Sequence, residues 1–201
     1  MNELPAGQQG LTIQAIMDAL IDGLRLKDEQ LQEKAEAALT RIGRKALRFL
    51  KDKAQCKRTL PDHRDRLLRV VQGIETHGKQ PGNESRAVLT YLIDALRVSN
   101  KSLNAKAADV LCSMPAEVVE RLVAAALINH RKTGYCVRLL GVIERIGQMP
   151  KATDQLELMM LARHGNKRIY EAARAALIST HPQNWDILGG WEEIVRCVAH
   201  G

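Results

Sequence analysis

The segment LQEKAEAALTRIG, residues 31–43, is the clearest copy of a pattern that occurs five times along the chain. The other copies are HRDRLLRVVQGIE at 63–75, LNAKAADVLCSMP at 103–115, YCVRLLGVIERIG at 135–147 and IYEAARAALISTH at 169–181. Their apolar residues recur at the spacing of one helix face. Successive copies begin 32 to 40 residues apart, which is room for two helices and two turns. The pattern therefore predicts helix pairs that bury their apolar faces against one another.

Alignment of the five copies without gaps gives columns of apolar residues. One column holds Ala35, Leu67, Ala107, Leu139 and Ala173, and another holds Leu39, Val71, Leu111, Ile143 and Leu177. The second copy departs from the pattern at both ends, where His63 and Glu75 stand in place of an apolar residue and a glycine. We therefore expect the second repeat to differ from the others in role.

The composition favours an all-α chain. Of 201 residues, 45% are hydrophobic and only 3% aromatic, and β-branched residues do not cluster in alternating runs. No apolar run approaches the roughly 20 residues that span a bilayer, and the start MNELPAGQQG lacks the basic and apolar regions of a secretory signal. Four isolated cysteines predict core or half-buried thiols rather than disulfides or a metal site. These features indicate a cytoplasmic protein without a cofactor.

Turn residues divide the chain into helix pairs. We expect a flexible lead-in over residues 1–10 and a terminal cap over 182–201, with a helix at 191–199. Asp28 is predicted to cap the second helix of the first pair, and Pro61 to open the second helix of the next pair. The predicted repeat units are 11–43, 44–78, 84–115, 116–147 and 152–181.

The columns resemble the HEAT family of helical repeats, including its bacterial short-repeat type. The resemblance covers most of residues 11–181 and rests on the A-x-x-A-L-x-x-I-G signature, together with an Asp or Asn in the turn within each pair. The signature residues are Ala35, Ala38, Leu39, Ile42 and Gly43, and the turn residues are Asp28, Asn100, Asn129 and Asn166. The resemblance implies a right-handed α-solenoid of about five antiparallel helix pairs that serves as a macromolecule-binding scaffold.

Positive charge is concentrated in the second repeat. Residues 41–69 contain eleven Lys and Arg against three Asp and Glu, a net charge of +8 compared with +7 for the whole chain. Helical spacing would join several of them in one stripe if the helices on either side of Gly43 were nearly continuous. The predicted binding residues are Arg41, Arg44, Lys45, Arg48, Lys51, Arg64 and Arg69.

The partner that best suits this basic face is a protein with an acidic surface. Backbone phosphates of a nucleic acid are the alternative, since no helix-turn-helix, zinc-finger or RNP-like motif is present. A solvated face of Lys and Arg stems is an equally weighted interpretation. Membrane binding and a small-molecule substrate are not predicted, because the apolar face of helix 44–55 is modest and no ligand motif occurs.

Signatures of catalysis are missing from the sequence. None of the six histidines is followed by Glu, which excludes the repeated His-Glu pairs of the HEAT-like deoxyhypusine hydroxylases. The enzymatic alternative is a DNA-processing protein similar to HEAT-like alkylpurine DNA glycosylases, for which Trp185, Asp186 and Trp191 are the candidate residues. Their clustering near the end of the chain favours a terminal aromatic plug instead. We therefore predict a non-catalytic interaction scaffold with no metal or catalytic residue.

Overall fold

A computed structural model describes residues 6–78, 83–114, 117–147, 152–163 and 165–180. These residues form ten α-helices and, within the described ranges, no strand. The all-α prediction is confirmed. The helices are α1 (Ala6–Gly23), α2 (Glu29–Ile42), α3 (Arg44–Gln55), α4 (Pro61–His77), α5 (Glu84–Ala95), α6 (Lys101–Cys112), α7 (Glu117–Ile128), α8 (Thr133–Ile146), α9 (Ala152–Ala162) and α10 (Lys167–Thr180).

The helix ends follow the local signals in the sequence. Asp28 accepts a hydrogen bond from the backbone N–H of Leu31 over 3.1 Å, which caps α2, and Asn100 accepts one from Leu103 over 3.0 Å at the start of α6. Pro61 occupies the first turn of α4, where a missing N–H costs no hydrogen bond. Helix α1 begins five residues before the predicted start at Leu11. Glycine lowers helix propensity by about 1 kcal/mol without forbidding a helix, so Gly7 and Gly10 did not mark its boundary.

The repeat columns form the core. Ala35, at the first column, has no exposed surface, and Leu39, at the second, has none either. The equivalent residues of the other copies are also buried: Leu67, Ala107, Leu139 and Ala173 in the first column, and Val71, Leu111, Ile143 and Leu177 in the second. Burial of these side chains is the main favourable term in folding, at roughly 25 cal/mol per Å² of apolar surface removed from water.

The chain divides into two compact units, Met1–Val110 and Leu111–Gly201. In the first unit, successive helices pack together as α1 with α2 and α3 with α4, and α4 also contacts α2. In the second unit, α7 packs on α8, and α10 packs on both α8 and α9. These four pairs of successive helices, α1 with α2, α3 with α4, α7 with α8 and α9 with α10, pack together as the repeat predicts. None of the described helices is both long and apolar enough to span a membrane.

Helix α5 packs mainly on α2 and also contacts α1, so the third helix pair lies against the first pair. The buried Tyr91 hydroxyl of α5 donates a hydrogen bond of 2.6 Å to the carbonyl oxygen of Ala19 in α1. Gly23 makes room for this ring, because a Cβ at residue 23 would lie 2.8 Å from two of the Tyr91 ring carbons. Burial raises the pKa of Tyr91 well above its usual value, so the hydroxyl remains a donor.

Ion pairs link the same two helix pairs. Lys34 of α2 pairs with Asp94 of α5, and Lys106 of α6 pairs with Asp22 of α1. Arg97, just after α5, lies 3.4 Å from the Asp28 carboxylate that caps α2. Three charged residues of the first pair, Asp22, Asp28 and Lys34, therefore help to hold the third pair in place.

Candidate functional site

Gly43 separates the predicted basic residues into two groups. Its φ of +68° ends α2 at Ile42, and α3 begins at the next residue. Only glycine adopts such a positive φ without strain. Arg41 therefore belongs to α2 and lies beside Arg86 and Thr90 of α5, in a cleft between the two helices. Its Nε atom is buried and has no hydrogen-bond partner among the described residues.

The outer face of α3 carries four of the predicted residues. Arg44, Lys45, Arg48 and Lys51 are all exposed, with 90% of the Arg48 side chain accessible. On the opposite face, Ala46, Leu50 and Ala54 are buried, as the helical spacing predicts. The sequence therefore separates an apolar face that packs on the core from a basic face directed to solvent.

Carboxylates neutralise part of this basic face. Lys51 lies 2.7 Å from Glu75 of α4, and Arg48 lies 3.9 Å from Asp52 one turn further along α3. Within the described ranges, no acidic side chain lies within ion-pair distance of Arg44 or Lys45. Exposed pairs of this kind contribute about 0–1 kcal/mol each. The face therefore keeps a net positive charge.

Helix α4 presents Arg69 and Arg64 differently. Arg69 is exposed, whereas Arg64 is half-buried and donates a hydrogen bond of 3.5 Å to the carbonyl of Thr59. The Thr59 hydroxyl in turn donates to the carbonyl of Lys53 over 2.7 Å, which fixes the turn between α3 and α4. Arg64 thus supports the turn and offers only part of its guanidinium to a partner.

Apolar side chains lie among the cations. Leu68 is 47% exposed and lines a shallow groove together with Lys51, Lys57 and Arg64. On the other side of α3, Phe49 is half-buried in a groove that also contains Lys45 and Arg48. The second helix pair therefore combines positive charge with accessible apolar surface.

A second feature of this helix pair is a cleft of about 600 Å³, here called the His63 cleft. It lies between the turn after α1, the turn before α4 and the first turns of α2 and α4. The sequence analysis did not predict it. Its lining contains four positively charged side chains, Arg25, Lys27, Arg58 and Arg66, and two negatively charged ones, Glu29 and Asp62.

His63 is the buried polar residue of this cleft. Only 5% of its surface is exposed, and neither ring nitrogen has a hydrogen-bond partner among the described residues. Burial, together with the nearby positive charges of Arg25, Arg66 and Lys53, lowers the pKa of His63 to about 4, against the opposing effect of Asp22. The imidazole is therefore neutral at physiological pH, with one donor and one acceptor nitrogen.

The remaining candidates for chemistry are placed as follows. Cys136 is buried, and burial raises its thiol pKa to about 11, whereas Cys112 is half-buried. Cys56 is exposed, so the prediction of core or half-buried thiols is wrong there, because it follows the last turn of α3 on the solvent side. In the parts of the chain that the structure describes, no three His, Cys, Asp or Glu residues come together as metal ligands.

The residues of the enzymatic alternative, Trp185, Asp186 and Trp191, lie outside the described residues, as does the predicted terminal helix. The same is true of Cys197. Comparison of the chain with protein-family models, with curated proteins and with solved structures found no match.

Proposed function

We propose that the chain is a HEAT-like helical-repeat scaffold whose second helix pair, α3 and α4, binds an acidic surface of another protein. The observation that carries the proposal is the outward basic face of this pair. Arg44, Lys45, Arg48, Lys51 and Arg69 are all exposed, and the segment that contains them accounts for the whole net charge of the chain.

Repulsion within this face favours a partner over solvation alone. Neighbouring like charges on a helix repel by a few tenths of a kcal/mol per pair, and carboxylates of a partner would relieve that repulsion. By contrast, Lys34 of the first helix pair and Arg97 just after α5 are already matched by carboxylates of the same chain. Arg44 and Lys45 of α3, which have no carboxylate at ion-pair distance within the described ranges, are thus the better candidates for intermolecular pairing.

The apolar side chains favour protein over nucleic acid as the partner. Protein interfaces combine an apolar centre with a polar rim, and Leu68 and Phe49 supply accessible apolar surface between the cations. Binding of a nucleic-acid backbone needs phosphate contacts and, for single strands, exposed aromatic rings. Phe49 is the single aromatic residue of the basic segment 41–69 and is half-buried.

The scaffold part of the proposal rests on the repeat. The two main columns are buried in every one of the five copies, in both compact units. A repeat whose members cannot bury their apolar faces alone is typical of helical scaffolds that bind other macromolecules. The right-handed solenoid arrangement is part of this proposal.

The test is charge reversal with a matched control. One variant, the α3 variant, replaces Arg44, Lys45, Arg48 and Lys51 with Glu. The control also introduces four Glu residues, in place of exposed arginines of the second unit: Arg121, Arg131, Arg163 and Arg168. Both variants lower the net charge from +7 to −1. We expect affinity capture from the source cell to lose its main partner only with the α3 variant, while the far-UV circular dichroism of both stays helical.

Equal loss in both variants would show that net charge alone governs binding, and retention in both would remove the basic face from the mechanism. A titration with duplex DNA at two salt concentrations addresses the alternative partner. Steeply salt-dependent binding of DNA that the α3 variant abolishes would favour a nucleic-acid backbone over a protein.

A further inference from the structure

The His63 cleft has a positive lining that is not neutralised within the cleft itself. Four cationic side chains, Arg25, Lys27, Arg58 and Arg66, line it together with two carboxylates. The lining therefore has an excess of two positive charges. A cleft of about 600 Å³ is also within the size range of small-molecule sites, which is roughly 300–1,000 Å³. Arg25 also pairs with Asp22 over 3.4 Å, beside the cleft, but the lining residues themselves would be balanced by an anion of charge −2.

His63 stands where the repeat places a core residue. The equivalent positions of the other copies are Leu31, Leu103, Tyr135 and Ile169, and all of them are buried. A buried imidazole without a hydrogen-bond partner is destabilising by roughly 1–3 kcal/mol, and buried polar groups in native proteins nearly always have a partner. Both ring nitrogens are buried and neither has a partner among the described residues, so a turn of the ring toward the cleft would let a bound molecule supply the missing hydrogen bond.

The start of α4 adds a second group of donors. The side chain of Leu60, at the N-cap of α4, has no polar atom that could cap the helix. By contrast, the side chain of Asp28 caps α2 and that of Asn83 caps α5. Uncapped N–H groups and the helix dipole together favour an anion at a helix N-terminus. Leu60 and His63 both line the cleft, so this helix end and the unpartnered imidazole share one cavity.

Hydrogen bonds hold the two walls of the cleft together. Arg66 of α4 donates to the carbonyl of Leu24, after α1, over 3.1 Å, and Gln32 of α2 donates to the carbonyl of Leu26. These bonds cross-link the turn between α1 and α2 to both neighbouring helices. The cations are therefore presented by a constrained turn, which reduces the ordering that a ligand must bring about.

We propose that the His63 cleft binds the phosphate group of a small phosphate monoester, with His63 and the start of α4 donating to its oxygens. A monoester phosphate carries close to two negative charges at neutral pH and offers three acceptor oxygens, which suits the charge and the donors of this cleft. Leu60, whose side chain is 74% exposed at the edge of the cleft, provides apolar contact for the organic part. This inference does not depend on the proposed function of the basic face.

The titration of His63 is the direct measure of occupancy. The charged groups around it are Arg25 and Asp22 from the first pair, Lys53 from α3, and Arg66 and Asp62 from α4. Arg25, Arg66 and Lys53 lower the His63 pKa, and Asp22 alone of these groups raises it. A bound dianion would offset the positive charges, stabilise the imidazolium and so raise the His63 pKa. His77, exposed at the end of α4, should not respond.

The experiment adds inorganic phosphate or glycerol 3-phosphate to the full chain at constant ionic strength and follows the histidine side-chain resonances by NMR. We expect both probes to shift the His63 signals, the ester to bind at least as tightly as inorganic phosphate, and the monoanion dimethyl phosphate to bind about tenfold more weakly. Binding of inorganic phosphate without the ester would overturn the assignment of a monoester ligand. No shift at millimolar concentrations of either probe would overturn the site itself.

Variants separate the cleft from the basic face. Arg66→Gln and Leu60→Asp should each weaken phosphate binding about tenfold or more. The first removes a cation from the cleft, and the second introduces a carboxylate that accepts hydrogen bonds from the N–H groups at the start of α4 in place of the phosphate. Leu60→Asp should not unfold the chain, since residue 60 is exposed. Arg48→Gln, outside the cleft, should bind phosphate as the wild type does. Equal weakening by Arg48→Gln would mean a general electrostatic effect and would overturn the proposal, even if binding to the acidic protein partner were confirmed.

Discussion

The first and second helix pairs share one repeat pattern but use their polar residues differently. In α1 and α2, Asp22, Asp28 and Lys34 all contact residues of the third pair or the segment that follows α5. In α3 and α4, Arg44 and Lys45 meet no carboxylate within the described ranges. The buried columns are the same in both pairs, so the difference lies in what the polar positions contact.

The contrast is sharpest at the starts of α2 and α4. Helix α2 begins with a capping Asp28 and a buried Leu31, whereas α4 begins with an exposed Leu60 and a buried His63. The first arrangement satisfies the helix end with groups of the chain itself. The second leaves donors that a ligand would satisfy. In these two pairs the apolar columns are alike, and the helix starts and outer faces differ.

The largest expected effect comes from Gly23→Ala in the first pair. The added Cβ would lie 2.8 Å from two ring carbons of Tyr91 and closer still to its hydroxyl, in a fully buried contact. We expect a loss of about 2–3 kcal/mol in the free energy of unfolding, measured by urea denaturation. Gly73→Ala in α4 is the control, because a Cβ there meets nothing within 4 Å. It should stabilise the chain by about 0.5–1 kcal/mol, and destabilisation by it would contradict the difference between the pairs.

The next largest effect is a pH dependence of the free energy of unfolding, and it originates at His63. Its folded pKa of about 4 lies below the ordinary value of 6.5. As pH falls through this interval, the unfolded chain takes up a proton that the folded chain does not, so the stabilisation present above pH 6.5 is lost progressively towards pH 4. We expect this loss to be up to about 3 kcal/mol.

His63→Leu isolates the contribution of this residue. The variant has at residue 63 the leucine that two other copies have at this position, Leu31 and Leu103, so it should be more stable than the wild type at neutral pH. Its free energy of unfolding should also change less between pH 6.5 and 4, because the titrating imidazole is gone. Urea titrations of wild type and variant across this interval give the difference directly. An unchanged pH profile in the variant would show that other groups cause the dependence.

Exchange of the helix caps should give effects of about 1 kcal/mol with opposite signs. Asp28→Ala removes the carboxylate that accepts from the Leu31 N–H, so α2 should be destabilised. Leu60→Asp supplies the missing cap of α4, where the backbone is already extended with φ −60° and ψ 146°. Thermal unfolding in phosphate-free buffer measures both. An unchanged thermal stability of the Leu60→Asp variant would indicate that the N–H donors at the start of α4 already have hydrogen-bond partners.

Helix positions could be predicted from the sequence because their signals are local. The start of α3 at Arg44 and the proline start of α4 match the prediction. Asn166 and Asn100 mark helix starts through hydrogen bonds to residues two or three positions ahead. Such contacts depend on a few neighbouring residues, so a single sequence contains the information for them.

The docking of α5 on α2 could not be predicted in this way. It depends on the fit of the Tyr91 ring over Gly23 and on the pairing of Lys34 with Asp94, which join residues 60 or more positions apart. Each helix has an apolar face that would suit several neighbours, so periodicity alone does not choose between them.

The proposed binding surface and the His63 cleft could be predicted from the sequence only in part. The concentration of charge on residues 41–69 is visible in the sequence, but the interruption at Gly43 separates Arg41 from α3. The His63 cleft needs two turns from different helix pairs and so has no local motif. Its one signal in the sequence is the histidine in an otherwise apolar column, and a single polar residue in such a column does not by itself indicate a cleft.

The smallest effect distinguishes the ion pairs of the two helix pairs. Arg48→Ala removes a pair of 3.9 Å with Asp52 in which both side chains are largely exposed, so the expected loss is below about 0.5 kcal/mol. Asp94→Ala removes the partner of Lys34, at a carboxylate that is only 24% exposed, and should cost more, about 1 kcal/mol, because it joins α5 to α2. Urea denaturation at low and high salt measures both differences. Equal effects would mean that the polar contacts of the first pair hold the fold no more firmly than those of the second.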